Sequence, residues 1–171
     1  MEVRGTEIAI SLWKQKAERF GEPPPLAEFG MAGSNRPFSF LVCADLLVSD
    51  DSVFLDYGSG LARLFGLPER PSWHMQMISC VPDRYRFLLL QGCREAIVES
   101  VPVRFGGEVA VLEGTELYRA CFMPLKMRTK STLAIYGSFN FRFFTSATLA
   151  KRQRSVDTAS AGALTGVPLF G

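Results

Sequence analysis

The sequence predicts an α+β domain. Its centre is a five-stranded antiparallel sheet, covered on one face by short helices and one longer helix, with an amphipathic helix at the N-terminal end. Three observations predict this. Ser131–Thr145 alternates Leu133, Ile135, Gly137, Phe139, Phe141 and Phe143 with Ala134, Tyr136, Ser138, Asn140 and Arg142, the two-residue period of a strand. Two strand-like runs precede a helical middle and three follow it, with neighbouring runs joined by turns too short for a parallel crossover. Finally, 171 residues that are 47% hydrophobic suffice for one buried core without disulfide or metal staples.

In chain order, residues 7–20 read as an amphipathic helix. Ile8, Leu12, Trp13, Ala17 and Phe20 share one side. Gly21 and Pro23-Pro24-Pro25 stop it, and the Pro/Gly-rich connector through residue 37 holds a short helical turn near Leu26–Phe29. Phe38–Val48 is apolar on both faces and reads as a buried strand. Ser49-Asp50-Asp51-Ser52 is a turn, and Val53–Tyr57 the second arm of a hairpin. Gly58-Ser59-Gly60 leads into a short helix, Leu61–Phe65, closed by Gly66 and Pro68. Another short helical piece is expected near Trp73–Ile78.

Pro82 and Asp83 open the longest helix, about 82–99. Proline suits the first turn and aspartate the positive end of the dipole. Tyr85, Leu88, Leu89, Gly92 and Ala96 form its apolar stripe. Val101–Leu112 is a strand interrupted at Gly106-Gly107, as a bulge or a bend. Glu113-Gly114 turns into the strand Thr115–Lys126, and Met127–Lys130 turns into the last strand. The domain limits are therefore 1–37 for the helix and connector, 38–145 for the sheet domain, and 146–171 for a flexible tail.

A net charge of +2 gives no footing for nucleic acid or an anionic membrane. The longest apolar run, FSFLVCADLLV, is broken by Asp45 and too short to span a bilayer. Cys43, Cys80, Cys93 and Cys121 are far apart in sequence and sit in apolar settings. They read as buried free thiols of a cytoplasmic protein. His74 is the sole histidine, so no multi-histidine metal site is expected. Gly58-Ser59-Gly60 lacks the third glycine of a dinucleotide loop, having Arg63 in its place. No base–nucleophile pair is visible, which argues against an enzyme. Arg63, Arg84 and Arg86 read as a solvated face, with an anion site as the sharper alternative. Lys151-Arg152-Gln153-Arg154 reads as a basic start to the tail.

The ordered set LWKQ (12–15), PDRY (82–85), TELYRACFMPL (115–125) and LAIYGSFNFR (133–142) resembles PAS domains. It is closest to the stand-alone PAS family common in alphaproteobacteria. The likeness covers roughly residues 8–145. It implies five antiparallel strands split two and three around small helices. From the residues themselves no catalytic group, metal or cofactor is assigned. The resemblance also implies a bacterial signalling role, as an interaction adaptor working through a homodimer or a signalling protein partner, or alternatively as a sensor of a small-molecule ligand. The candidate cavity lining is Tyr85, Leu89, Cys121, Met123, Tyr136 and Ser138, or the opposite-face neighbours of the strand residues. The candidate interface is Leu12, Trp13 and Phe20. One PAS class binds flavin through an NCRFLQ motif; the nearest string here, RYRFLLLQ (84–91), has no cysteine at that place.

Overall fold

The computed structural model describes residues 5–21, 23–29, 36–45, 52–72, 75–112, 114–127 and 132–145. The expected turn at 49–51, Trp73, His74, the cluster 151–154 and the tail from 146 lie outside the described residues.

Among the described residues five helices and five strands follow in order. They are α1 (Gly5–Phe20), α2 (Leu26–Phe29), a 3-10 turn at Arg36–Phe38, β1 (Ser39–Asp45), β2 (Val53–Tyr57), α3 (Ser59–Phe65), α4 (Met77–Cys80), α5 (Asp83–Glu99), β3 (Val103–Val111), β4 (Gly114–Lys126) and β5 (Thr132–Thr145). The strand order is β2-β1-β5-β4-β3. β1 runs antiparallel to both β2 and β5, with Phe40 opposite Gly137 and Val42 opposite Ile135. The short links between β3, β4 and β5 make those pairs antiparallel as well. The fold class read from the sequence is therefore the fold observed, with β5 central.

The chain divides into two compact units. One holds the described residues up to Gly107 together with Tyr118–Asn140; the other holds those of 108–117 and 141–145. In the second, Gly114 comes so close to the Phe144 carbonyl that no side chain would fit. Leu112 and Phe143 are exposed there.

The bulge or bend expected at Gly106-Gly107 leaves no mark on the burial pattern of β3. β3 runs through Gly106-Gly107 with its half-buried and exposed residues alternating in unbroken phase. A register irregularity falls between β1 and β2. Leu41 pairs with Asp56 and Val42 with Phe54, so Leu55 is the extra residue. Residues outside the five strands pair along the β2 edge and at the end of the interior strand β4. Phe54 N–H donates to Met75 O and Met77 N–H to Ser52 O along β2, and Pro25 bridges Lys126 at the end of β4.

Residues 134–139 of β5 are buried without a gap, so both faces of the sheet are covered. One face carries Phe40, Phe122 and Phe139, with ring centroids 5.7–6.0 Å apart. It packs under α5, whose expected apolar stripe is buried throughout. A Cβ at Gly92 would run into the Phe122 ring, and one at Gly137 into the Phe40 ring. The glycines thus seat the rings, and the rings fix how closely helix and sheet approach.

Gly92→Ala therefore tests packing against propensity. In a helix, alanine is favoured over glycine by about 1 kcal/mol. Overpacking against a confined ring costs about 1–3 kcal/mol. A lower urea midpoint at unchanged m-value is expected; a higher midpoint would mean that the ring is not confined.

Candidate functional site

Two regions compete as the site: the interior between the sheet and α5, and the ground beneath α1. The interior is lined by aromatic rings. Phe54 meets Phe40 at 6.1 Å and Tyr57 at 5.3 Å. Phe105 meets Phe122 edge-on at 5.7 Å, and Phe65 lies 5.0 Å from Tyr85. Phe40, Phe122, Phe139, Tyr85 and Leu89 are fully buried. Such tilted and edge-to-face pairs each add about 0.5–1.5 kcal/mol beyond burial alone. Between the phenylalanines and α5 the described side chains pack ring against ring.

The six residues expected to line one cavity are divided by the sheet. Tyr85 and Leu89 belong to α5. Cys121, Met123 and Tyr136 lie on the opposite face, in a cluster with Ala9, Ile10 and Trp13 of α1, Phe29, Leu41, Leu125 and Ala134. Ser138 is buried two residues along β5 from Tyr136 and so shares its face. The alternative set, the opposite-face neighbours Phe122, Ile135, Gly137 and Phe139, is what faces α5. Period-two alternation says that two faces exist; it does not label them.

α1 holds to the outer face through Trp13. Its Nε1–H donates to the Pro124 carbonyl at 2.7 Å inside the cluster. The buried stripe of α1 is Thr6, Ala9, Ile10 and Trp13, with Leu12 and Ala17 packed alongside. This corrects the expected stripe. Ile8 and Phe20 are 38% and 36% exposed, and the Arg19 guanidinium lies over the Phe20 ring. Of the three candidate interface residues, Trp13 is thus internal, Leu12 half-buried and Phe20 on the surface.

An open cleft of about 290 Å³ lies between the first turns of α1 and strands β3 and β4. Ile10, Phe105, Ala120 and Cys121 supply its less polar wall, and Arg104 and Arg119 its charge. Arg104 makes an ion pair with Glu7 at 2.9 Å. Thr6 accepts from Asn140 Nδ2 at 3.2 Å through its hydroxyl and from the Cys121 thiol at 3.8 Å through its carbonyl. None of this was flagged by motif. Arg104, Arg119 and Glu7 are remote in sequence and only the sheet brings them together. The three arginines of the candidate anion site are engaged locally. Arg63 donates to Ser59 O, Arg84 lies over the Tyr85 ring, and Arg86 pairs with Asp83 at 2.6 Å.

Cys43 and Cys80 are half-buried, and Cys93 and Cys121 buried, all as free thiols. Burial pushes the Cys121 thiol up from 9.0 to about 12, against smaller lowering from the Ser138 backbone N–H and Arg104. Burial raises Cys93 further still. Burial also raises Tyr136, partly offset by its hydrogen bond with Ser39. Gly58 has an ordinary extended backbone. Its glycine is required because the Arg36 and Pro37 backbone passes where a side chain would stand. Among the described residues no group of three or more His, Cys, Asp or Glu side chains gathers where a metal could be held. No described helix is long and apolar enough to cross a membrane.

No protein-family model matches the chain, and no curated protein matches it. Among solved structures the chain is similar to a domain of an HTR-like protein from Haloarcula marismortui, at 14% identity and TM-score 0.43, over 59% of this chain and 96% of that one. It is also similar to the PAS domain of Bordetella pertussis BvgS, at 13% identity and TM-score 0.42, over 72% and 89%. A third is the PAS domain of a Colwellia psychrerythraea protein, at 15% identity and TM-score 0.39, over 77% and 96%.

Two outcomes are expected from this geometry. Trp13→Phe removes the indole donor and leaves the buried Pro124 carbonyl unpaired, at about 1–3 kcal/mol. Hydrogen exchange should then quicken in α1 before it does in α5. The raised thiol and phenol groups hold protons in the folded state that the unfolded chain releases. Their contribution to stability is complete below pH 9 and declines as pH rises toward about 12. Calorimetry should show a falling Tm over that alkaline window; a Tm flat through it would contradict the burial of these groups.

Proposed function

We propose that this chain is a PAS-like regulatory module that works by protein contact, as an adaptor in signal transduction, and not by catalysis. The observation that supports this most directly is the aromatic interior: Phe40 and Phe122 lie against Gly137 and Gly92, where an internal ligand would otherwise sit. In this reading information enters and leaves through surfaces.

The sensor reading has one observation of its own. The cleft beside α1 joins a less polar wall to Arg104 and Arg119, the makings of a site for a small carboxylate or other anion. In this reading the ligand lies under α1, outside the phenylalanine-lined interior.

Native mass spectrometry and an absorption spectrum of the purified protein separate the two. The adaptor reading expects the bare chain mass, no absorption above the aromatic band, and no shift in Tm on adding small organic anions. A stoichiometric extra mass, or an anion-dependent Tm rise abolished by Arg119→Ala, would overturn it in favour of the sensor.

A further inference from the structure

β3 ends the strand order, with β4 on one side only. Its outer backbone groups form a ready template for another strand. The other sheet edge differs, since residues 75–77 pair along β2. Among the described residues nothing pairs along the outer edge of β3.

The sequence of β3 is self-complementary about Gly106. Val103-Arg104-Phe105 precedes it and Gly107-Glu108-Val109 follows. Suppose that a second β3 lies antiparallel with Gly106 opposite Gly106. Arg104 then faces Glu108 of the second copy, twice by symmetry, and Val103 faces Val109 twice. Phe105 faces Gly107. The two faces of the strand are also respected. Val103, Phe105, Gly107, Val109 and Val111 are the half-buried row, and Arg104, Gly106, Glu108 and Ala110 the exposed row. A shift of one residue would set the charged row against the apolar row. A shift of two would set Arg104 opposite Gly106 or Ala110 and leave both charges unmatched.

The charges are available for this pairing. Glu108 is exposed and makes no ion pair among the described residues. Arg104 is 56% exposed in its side chain while paired with Glu7, and a guanidinium has donors for a second carboxylate. The glycines bring no side chains to the seam, so the two backbones can close.

We propose that the exposed edge of β3 is a homodimer interface, in which two copies join antiparallel about Gly106 and Arg104 of each copy pairs with Glu108 of the other. An isologous contact of this kind uses the same patch twice, and strand addition supplies its backbone hydrogen bonds. The inference names the surface that the adaptor reading leaves open and rests on that reading. The two fail separately, because ligand retention bears on the reading and oligomer mass on the surface.

Sedimentation equilibrium at several concentrations tests it, with folding checked by circular dichroism. The native chain should weigh twice 18.9 kDa. Glu108→Arg sets like charges opposite each other twice and should weaken the dimer at least about tenfold. Arg104→Glu should do the same. The double variant exchanges the two charges, so that opposite signs again meet at both positions across the seam, and should restore the dimer. A monomeric native chain, a folded Glu108→Arg protein that keeps the native mass, or a double variant that stays monomeric would each overturn the proposal.

Discussion

Two phenylalanine rings lie directly on two glycines, and much of the structure depends on that contact. Phe122 of β4 covers Gly92 of α5, and Phe40 of β1 covers Gly137 of β5. Neither glycine is needed for an unusual backbone angle, since neither has a positive φ. Each is needed because a ring occupies the place of its Cβ. Phe139 and Phe105 then pack around Phe122, and Phe54 beside Phe40. Close packing of this kind is sensitive to a single added methylene.

The outer face of the sheet is bound differently. There the cover is α1, which at 16 residues would be marginal alone. Its apolar stripe meets Leu41, Met123, Leu125 and Tyr136. One buried hydrogen bond from Trp13 to Pro124 fixes its rotation. The connector then adds its own tie, as Lys126 N–H donates to Pro24 O at 3.0 Å. Toward β3 the cover runs out. The surface there turns charged and open, with Glu7, Arg104 and Arg119 around a cleft. The transition from apolar cover to exposed charge coincides with the free edge, and both candidate surfaces for function lie along it.

Much of the fold was legible in the sequence. The boundaries of β2, α5 and β4 follow directly from alternation, Pro82-Asp83 and turn residues. The site was legible only in part. Tyr85 and Leu89 were rightly grouped with the apolar stripe of α5. Cys121, Met123, Tyr136 and Ser138 were grouped with them because a strand pattern carries no label for its two faces. The sequence allows the helix around Trp13 to cover its own core or to meet another subunit, with the partner surface preferred; the structure places Trp13 in the chain's own core. A lone amphipathic helix needs an apolar surface, but its sequence does not say whose.

The sequence by itself determined most of the elements, their order and the two-and-three antiparallel sheet; the short helix expected near Trp73–Ile78 is instead Met77–Cys80, with Gln76 bridging Val53 of β2. What the sequence determined depends on periods of two and 3.6 residues and on short connections, all of which are local. It also contained the symmetry of β3 about Gly106. Tertiary structure alone decided which face of β5 receives α5 and which receives α1, and it brought Glu7 to Arg104 across 97 residues. It also decided that β2 would be flanked while β3 stayed open. The physical reason is that faces and edges acquire meaning only from what packs against them, and those partners are far apart in the chain.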